Sequence, residues 1–293
     1  MNTAYRGRFA PTPSGPLHFG SLVSAVCSYL DARSSKGVWL VRIEDLDPPR
    51  TQPGMADHIL KTLENFGLHW DETVIYQSQR TAVYQKALSQ LATQDACYPC
   101  SCSRKDTQLI AADTAIYPGT CRDGIKAPDK PTAIRFRVKN SIISFQDRLA
   151  GQQTEPLDSH CGDFIIRRSD HLYAYQLAVV VDDHAQNITH IVRGHDLLDN
   201  TCRQIALQQA LGFHTPRYLH HPLVMGKDGK KLSKQNLAPA VNDQQKNRLL
   251  FKTLRFLGQQ PPGEIERESI PTMLQWATEN WAIEKTRNPD QVS

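Results

Sequence analysis

The 293 residues carry 40% hydrophobic and 22% charged side chains, the balance of a globular chain with a sizeable core. No run of about 18 apolar residues exists, which argues against a membrane-spanning helix. The opening MNTAYRGRFAPTPSG also lacks the apolar region of a secretory signal, so a cytoplasmic location is expected. A net charge of +4 permits a nucleic-acid partner without demanding one. Seven cysteines, an odd number, point to thiols or metal ligands rather than disulfides.

In chain order, GRFAP at 7–11 reads as a short strand entering a glycine-proline turn. SLVSAVCSYLDARSSKG then places Leu22, Val26, Tyr29 and Leu30 on one helical face. VWLVRIE at 38–44 is the near-continuous apolar run of a parallel strand covered on both faces. Strand, turn, helix and strand make a βαβ unit. MADHILKTLENFG, closed by Gly67, and TAVYQKALSQLATQ predict two more helices. From 97 to 170 cysteines, prolines and charges replace that rhythm, with AIRFRV and SIISFQ as antiparallel strands. The rhythm returns in YAYQLAVVVDD, ITHIVRG and the helix NTCRQIALQQALG. These observations predict an α/β protein with a doubly wound parallel sheet. Residues 1–96 and 171–235 form its halves, 97–170 an inserted α+β domain, and 236–293 a helical appendage.

Two segments carry candidate chemistry. A strand leaving through PSGPLHFGS into a helix aims backbone N–H groups and the positive dipole end outward, a ready anion site, with His18 beside the glycines. The pattern is neither the dinucleotide nor the P-loop glycine motif. About 210 residues later, MGKDGKKLSKQN offers Lys227, Lys230, Lys231 and Lys234 among glycines. Such a loop can fold over a triphosphate and neutralise charge on a transferring phosphorus.

Together PSGPLHFGS and KKLSKQ resemble the HIGH and KMSKS motifs of class I aminoacyl-tRNA synthetases. RFAPTPSGPLHFGSL, VRIEDLDPPR, YAYQLAVVVDDHAQNITHIVRGHDLL and HHPLVMGKDGKKLSK narrow the resemblance to the glutamyl-tRNA synthetase branch, over roughly residues 5–240. The resemblance implies a Rossmann-type fold and ATP-dependent activation of glutamate. It places glutamate against Arg8, Ala10, Thr12, Glu44, Tyr175 and Arg193. A planar guanidinium suits a carboxylate, and Glu44, at a strand's carboxyl end, suits an ammonium. ATP, with Mg²⁺, would lie on His18, Gly20, Ser21, Lys231, Ser233 and Lys234, with His18 and Lys234 catalytic.

In the insertion, Cys100-x-Cys102 and Cys121 suit zinc but leave one tetrahedral position open. Cys97 is the candidate by proximity in sequence. The resemblance favours Tyr117, because Cys-x-Cys…Tyr-x-x-x-Cys marks the family's short members. About 55 residues follow the lysine loop, against a large anticodon-gripping portion in full-length glutamyl-tRNA synthetases. The short members instead activate glutamate without tRNA and esterify it to the queuosine base at the wobble position of tRNA(Asp). The expected partners are therefore glutamate, ATP and a queuosine-bearing tRNA(Asp) anticodon stem-loop, with no membrane and a monomeric chain. Arg104, Lys105, Lys126, Arg135 and Arg137 in the insertion and Lys246, Arg248, Lys252 and Arg255 in the tail are candidates to track phosphates. The alternatives are a minimal glutamyl-tRNA synthetase charging the 3′ end of tRNA(Glu) and a silent RNA-binding paralogue. Intact His18, Lys234, Arg8 and Glu44 argue against the latter.

Overall fold

Two parallel strand pairs meet edge to edge and place the site. Strand β1 (Arg6–Phe9) runs beside β2 (Val38–Ile43) with Arg8 opposite Leu40, and β2 beside the short β3 (Ile75–Tyr76). We describe a computed structural model covering residues 4–103, 105–107, 116–139, 142–226, 232 and 239–286. Helix α1 (Phe19–Ser34) connects β1 to β2, with Leu22, Val23, Val26, Cys27 and Leu30 all fully buried. Burying each large aliphatic chain contributes about 1.5–3 kcal/mol, so α1 is the packing centre of this half.

Helices α2 (Met55–Asn65) and α3 (Thr81–Thr93) follow, then β4 (Cys97–Cys100), β5 (Ala133–Phe136), β6 (Ile142–Asp147), β7 (Gly151–Pro156) and β8 (Phe164–Arg167). The stretch 97–170 contributes to two sheets. β4, β5 and β8 form a separate antiparallel sheet, with β5 central. SIISFQ, as β6, pairs antiparallel with β7 but joins β10 in parallel, in the order β7-β6-β10-β9.

The second parallel pair is β9 (His190–Gly194) and β10 (Arg217–His221), with Arg193 opposite His220. Helix α4 (Tyr175–Ala185) precedes β9, and α5 (Thr201–Leu211) connects β9 to β10. β9 lies against β1, where the Thr189 amide donates to the Arg6 carbonyl at 3.0 Å. The chain proceeds outward from β1 to β2 and, on the other side, from β9 to β10. Their seam is a topological switch point, the place where open α/β sheets bind ligands beyond the strands' carboxyl ends. Asp182 of α4 fixes α3 across this half, accepting from Gln77, Arg80 and Tyr84 at 2.8, 2.5 and 2.7 Å.

Two further helices, α6 (Lys246–Phe256) and α7 (Ile270–Glu279), share the core of α1 through Leu250, Leu254, Met273 and Leu274. No described helix is long and apolar enough to cross a membrane.

Candidate active site

A cleft of about 560 Å³ opens over the seam of β1 and β9, lined by Arg8, Ala10, Thr12, His18, Gly20, Ser21, Glu44, Tyr175 and Arg193. Every described residue expected to hold glutamate or ATP is therefore on one surface. Lys231, Ser233 and Lys234 lie outside the described residues. Leu232, between them in sequence, lines the cleft and is tied back by its amide to the Val224 carbonyl at 2.8 Å.

One wall is a buried charge lattice. Arg8, 4% exposed, donates Nε and Nη2 to Asp183 at 3.0 and 3.4 Å. Arg42, inaccessible on β2, donates Nη1 to Asp183 and to Gln186, both at 2.8 Å, and Nη2 to Glu44 at 3.3 Å. Burial pushes the Asp183 carboxyl up, but the Arg8 and Arg42 charges outweigh it and hold the group below its usual range. Burial likewise raises Glu44, and here the pull of Arg42 and Arg8 only partly opposes it. Glu44 is thus a carboxylate short of compensation, suited to a ligand ammonium.

The facing wall is Arg193, 4% exposed on β9. Its guanidinium donates to Tyr175 Oη at 3.5 Å, Gln204 Oε1 at 2.8 Å, Thr201 Oγ1 at 2.7 Å and His220 Nε2 at 2.9 Å. All four acceptors are formally neutral. A buried cation held by neutral groups and facing a cleft calls for an anion from outside.

At the cleft's other end, His18 is the N-cap of α1. Its extended backbone passes into the helix, and its Nδ1 accepts the Ser21 amide at 3.2 Å. The Ser21 N–H, expected to meet a phosphate, is thus engaged by His18 itself. The helix dipole and the imidazole remain the features that favour an anion there. A Cβ at Gly20 would come within 3.1 Å of the His18 ring, so glycine lets the ring lie on the first turn.

The insertion gathers Cys100, Cys102 and Cys121, whose sulfurs all lie within 4.8 Å of one another. Cys102 and Cys121 are 3.6 Å apart, and Tyr117 Oη is 3.2 and 3.6 Å from Cys100 and Cys102. Tetrahedral zinc with bonds of about 2.3 Å to sulfur and 2.0 Å to oxygen spaces its ligands by about 3.8 and 3.5 Å, close to what is found. Amide and side-chain donors around Cys121 overcome burial and bring its thiol down to about 6. Burial and the neighbouring thiols push Cys102 up to about 11 and raise Tyr117 as well, so those two would need a metal's charge to deprotonate. Cys97 stands at the other end of β4, against the core of α3 and α4, and does not join the cluster. Arg135, expected to track phosphates, is buried here: it lies over the Tyr117 ring at 3.7 Å and donates to Cys100 at 3.3 Å. Arg137 is likewise engaged, by Asp95 and the Arg122 carbonyl.

Sequence reasoning missed the residues behind the site: Arg42, Asp183 and Gln186 supporting Arg8, and Thr201, Gln204, His220 and Asp147 behind Arg193. Two signals stood in the open, an arginine inside the apolar strand VWLVRIE and paired acids closing YQLAVVVDD. A charge in an otherwise buried pattern requires a buried partner.

Residues 4–280 match the family model of the class I tRNA synthetase (E and Q) catalytic domain. A glutamyl-Q tRNA(Asp) synthetase from Ectopseudomonas mendocina is 51% identical over 281 residues, covering 96% of this chain and 94% of that one. Another, from Thiobacillus denitrificans, is 50% identical over 95% and 93% of the two chains. In fold, the chain superposes on a glutamate tRNA ligase from Elizabethkingia meningosepticum, crystallised with its amino acid, with a TM-score of 0.80 at 24% identity. That match covers 97% of this chain and 66% of that one. The chain belongs to the class I tRNA synthetases of the E and Q type and, among them, to the glutamyl-Q tRNA(Asp) synthetases.

Proposed function

We propose that this chain, acting as a cytoplasmic monomer, activates L-glutamate with ATP in the absence of tRNA and transfers it to the queuosine base at the wobble position of tRNA(Asp). The observation that carries the reading is the cleft's charge arrangement. An under-compensated carboxylate, Glu44, faces two arginines whose forks are not both closed by acids, beside a capped helix N-terminus. An α-amino acid with a second carboxylate fits that arrangement: its ammonium meets Glu44, and its carboxylates meet Arg8 and Arg193, with Ala10, Thr12 and Tyr175 shaping the walls.

The chemistry asks for positioning and charge more than for covalent work. The glutamate α-carboxylate oxygen attacks the α-phosphorus of ATP, the bond from that phosphorus to the bridging β-phosphate oxygen breaks, and pyrophosphate leaves; Mg²⁺ bound with ATP would offset the charge of the phosphates. His18 and the α1 dipole hold the phosphates, and Lys231, Ser233 and Lys234 belong to the signature segment that neutralises the pentavalent charge. A queuosine hydroxyl then attacks the acyl carbon of the adenylate, AMP leaves, and the hydroxyl proton departs with the leaving phosphate or to water. Cys100, Cys102, Tyr117 and Cys121 would hold a structural zinc, with all four positions closed and none left for catalysis.

The reading is tested by ATP–pyrophosphate exchange with purified protein and no RNA. Exchange that depends on glutamate, and is not supported by aspartate or glutamine at equal concentration, is the expected result. Exchange appearing only when tRNA is added would overturn the RNA-independent first step. Transfer of glutamate to the 3′ end of tRNA(Glu) alone would favour the minimal charging enzyme.

A further inference from the structure

Behind Arg193 three strands align buried polar residues that do not line the cleft. In the register of the sheet β6-β10-β9, His220 stands directly opposite Arg193, and Asp147 closes β6 on the far side of β10. Asp147 and His220 are almost inaccessible, at 1% and 0%. His220 Nδ1 lies 2.7 Å from Asp147 Oδ2, and its Nε2 lies 2.9 Å from Arg193 Nε and 3.2 Å from Thr201 Oγ1.

An arginine Nε–H can only donate, so His220 Nε2 must present a lone pair to it. The imidazole proton therefore sits on Nδ1, where Asp147 accepts it. Asp147 is itself fixed, because its Oδ1 accepts the Leu149 and Ala150 amides at 2.9 and 2.8 Å. Burial and the Arg193 charge push His220 down to about 4, consistent with a neutral ring. The Arg193 head is then held from behind at Nε by His220, and at the sides by Thr201 and Gln204.

We propose that His220, with its tautomer set by Asp147, is the positioning residue that aims Arg193 at the substrate carboxylate. The inference rests on the reading of Arg193 as a carboxylate ligand. A positioning role, unlike simple packing, depends on which ring nitrogen carries the proton. Asp147→Asn makes that distinction without changing volume. The asparagine Oδ1 would keep the two amide donors, which turns its NH₂ toward His220 Nδ1. The ring proton is forced to Nε2, donor against donor at Arg193.

The experiment compares His220→Leu, His220→Gln and Asp147→Asn with the unmodified enzyme in RNA-free ATP–pyrophosphate exchange. His220→Leu and Asp147→Asn should raise the glutamate KM at least about tenfold, the worth of one misdirected charge-assisted bond, while the ATP KM stays within about twofold. His220→Gln, which can place an amide oxygen where Nε2 stood, should recover most of the loss. Nitrogen-15 NMR of the His220 ring gives a readout independent of activity: the proton on Nδ1 in the unmodified protein, and on Nε2 in Asp147→Asn. Glutamate and ATP KM values rising together, no rescue by glutamine, or a proton on Nε2 in the unmodified protein would each overturn the proposal. If the unmodified enzyme shows no glutamate-dependent exchange, the parent reading has failed instead, and with it the ligand that Arg193 is said to meet.

Discussion

Arg193 and Arg8 are both buried arginines of one cleft, yet their removal should differ in what it costs: affinity alone for Arg193, stability as well for Arg8. Arg193 has four neutral hydrogen-bond partners, so Arg193→Gln strands no carboxylate. The lost hydrogen bonds, about 1 kcal/mol each, are offset in part by relief from holding a desolvated cation. Stability should change by no more than about 2 kcal/mol. Binding should suffer far more. A carboxylate taken bidentately makes two charge-assisted bonds worth about 1.5–3 kcal/mol each, so their loss raises the glutamate KM by about a hundredfold to about ten-thousandfold. Arg8→Gln instead leaves Asp183 with Arg42 as its remaining cation and should cost stability as well as affinity. The assay is ATP–pyrophosphate exchange at varied glutamate, paired with urea unfolding of both variants. A glutamate KM within about threefold of the parent, or an Arg193→Gln protein as destabilised as Arg8→Gln, would refute the reasoning.

Asp183→Asn should be the most damaging of the conservative changes, at about 3–5 kcal/mol in urea unfolding, because two buried guanidinium groups lose their shared anion. Glu44 must be ionised to hold an ammonium, and its folded pKa is raised. The glutamate KM should therefore climb as pH falls through a range above the ordinary carboxylate value, and that limb should vanish in Glu44→Gln; an unchanged limb would assign it elsewhere. His18→Ala should cost about 1 kcal/mol through the lost cap and about a hundredfold in exchange rate. His18→Asn should restore the cap but not the rate, and recovery of both would reduce His18 to a structural role. Metal analysis should find one zinc per chain, lost in Cys100→Ser, Cys102→Ser and Cys121→Ser variants and kept in Cys97→Ser.

The parallel sheet and the cleft residues were legible because each leaves a local trace. VWLVRIE is an apolar run bounded by charge, and PSGPLHFGS is a turn with a cap at the right distance from an apolar helix. What stayed hidden is non-local. That SIISFQ joins β10 rather than AIRFRV depends on a parallel pairing made over 70 residues later in the chain, on which the alternation of a single strand is silent. Arg135 reads as an exposed charge in AIRFRV until the fold lays its guanidinium over Tyr117 beside the thiols. Asp147, in SIISFQD, resembles any polar strand end, and only the order of three strands brings it behind His220. Between Cys97 and Tyr117 as companions of the other thiols, strand direction decides: three residues along β4 carry Cys97 away from the cluster, while the chain returns Tyr117 to it.

The most direct test of the central claim follows the label. Purified protein is incubated with ATP, Mg²⁺ and labelled glutamate, together with tRNA(Asp) that either bears or lacks queuosine, and the RNA is digested to nucleosides. The account predicts label on queuosine and none on the unmodified tRNA(Asp). Label on the 3′-terminal adenosine of a tRNA(Glu) control, with queuosine unlabelled, would contradict it.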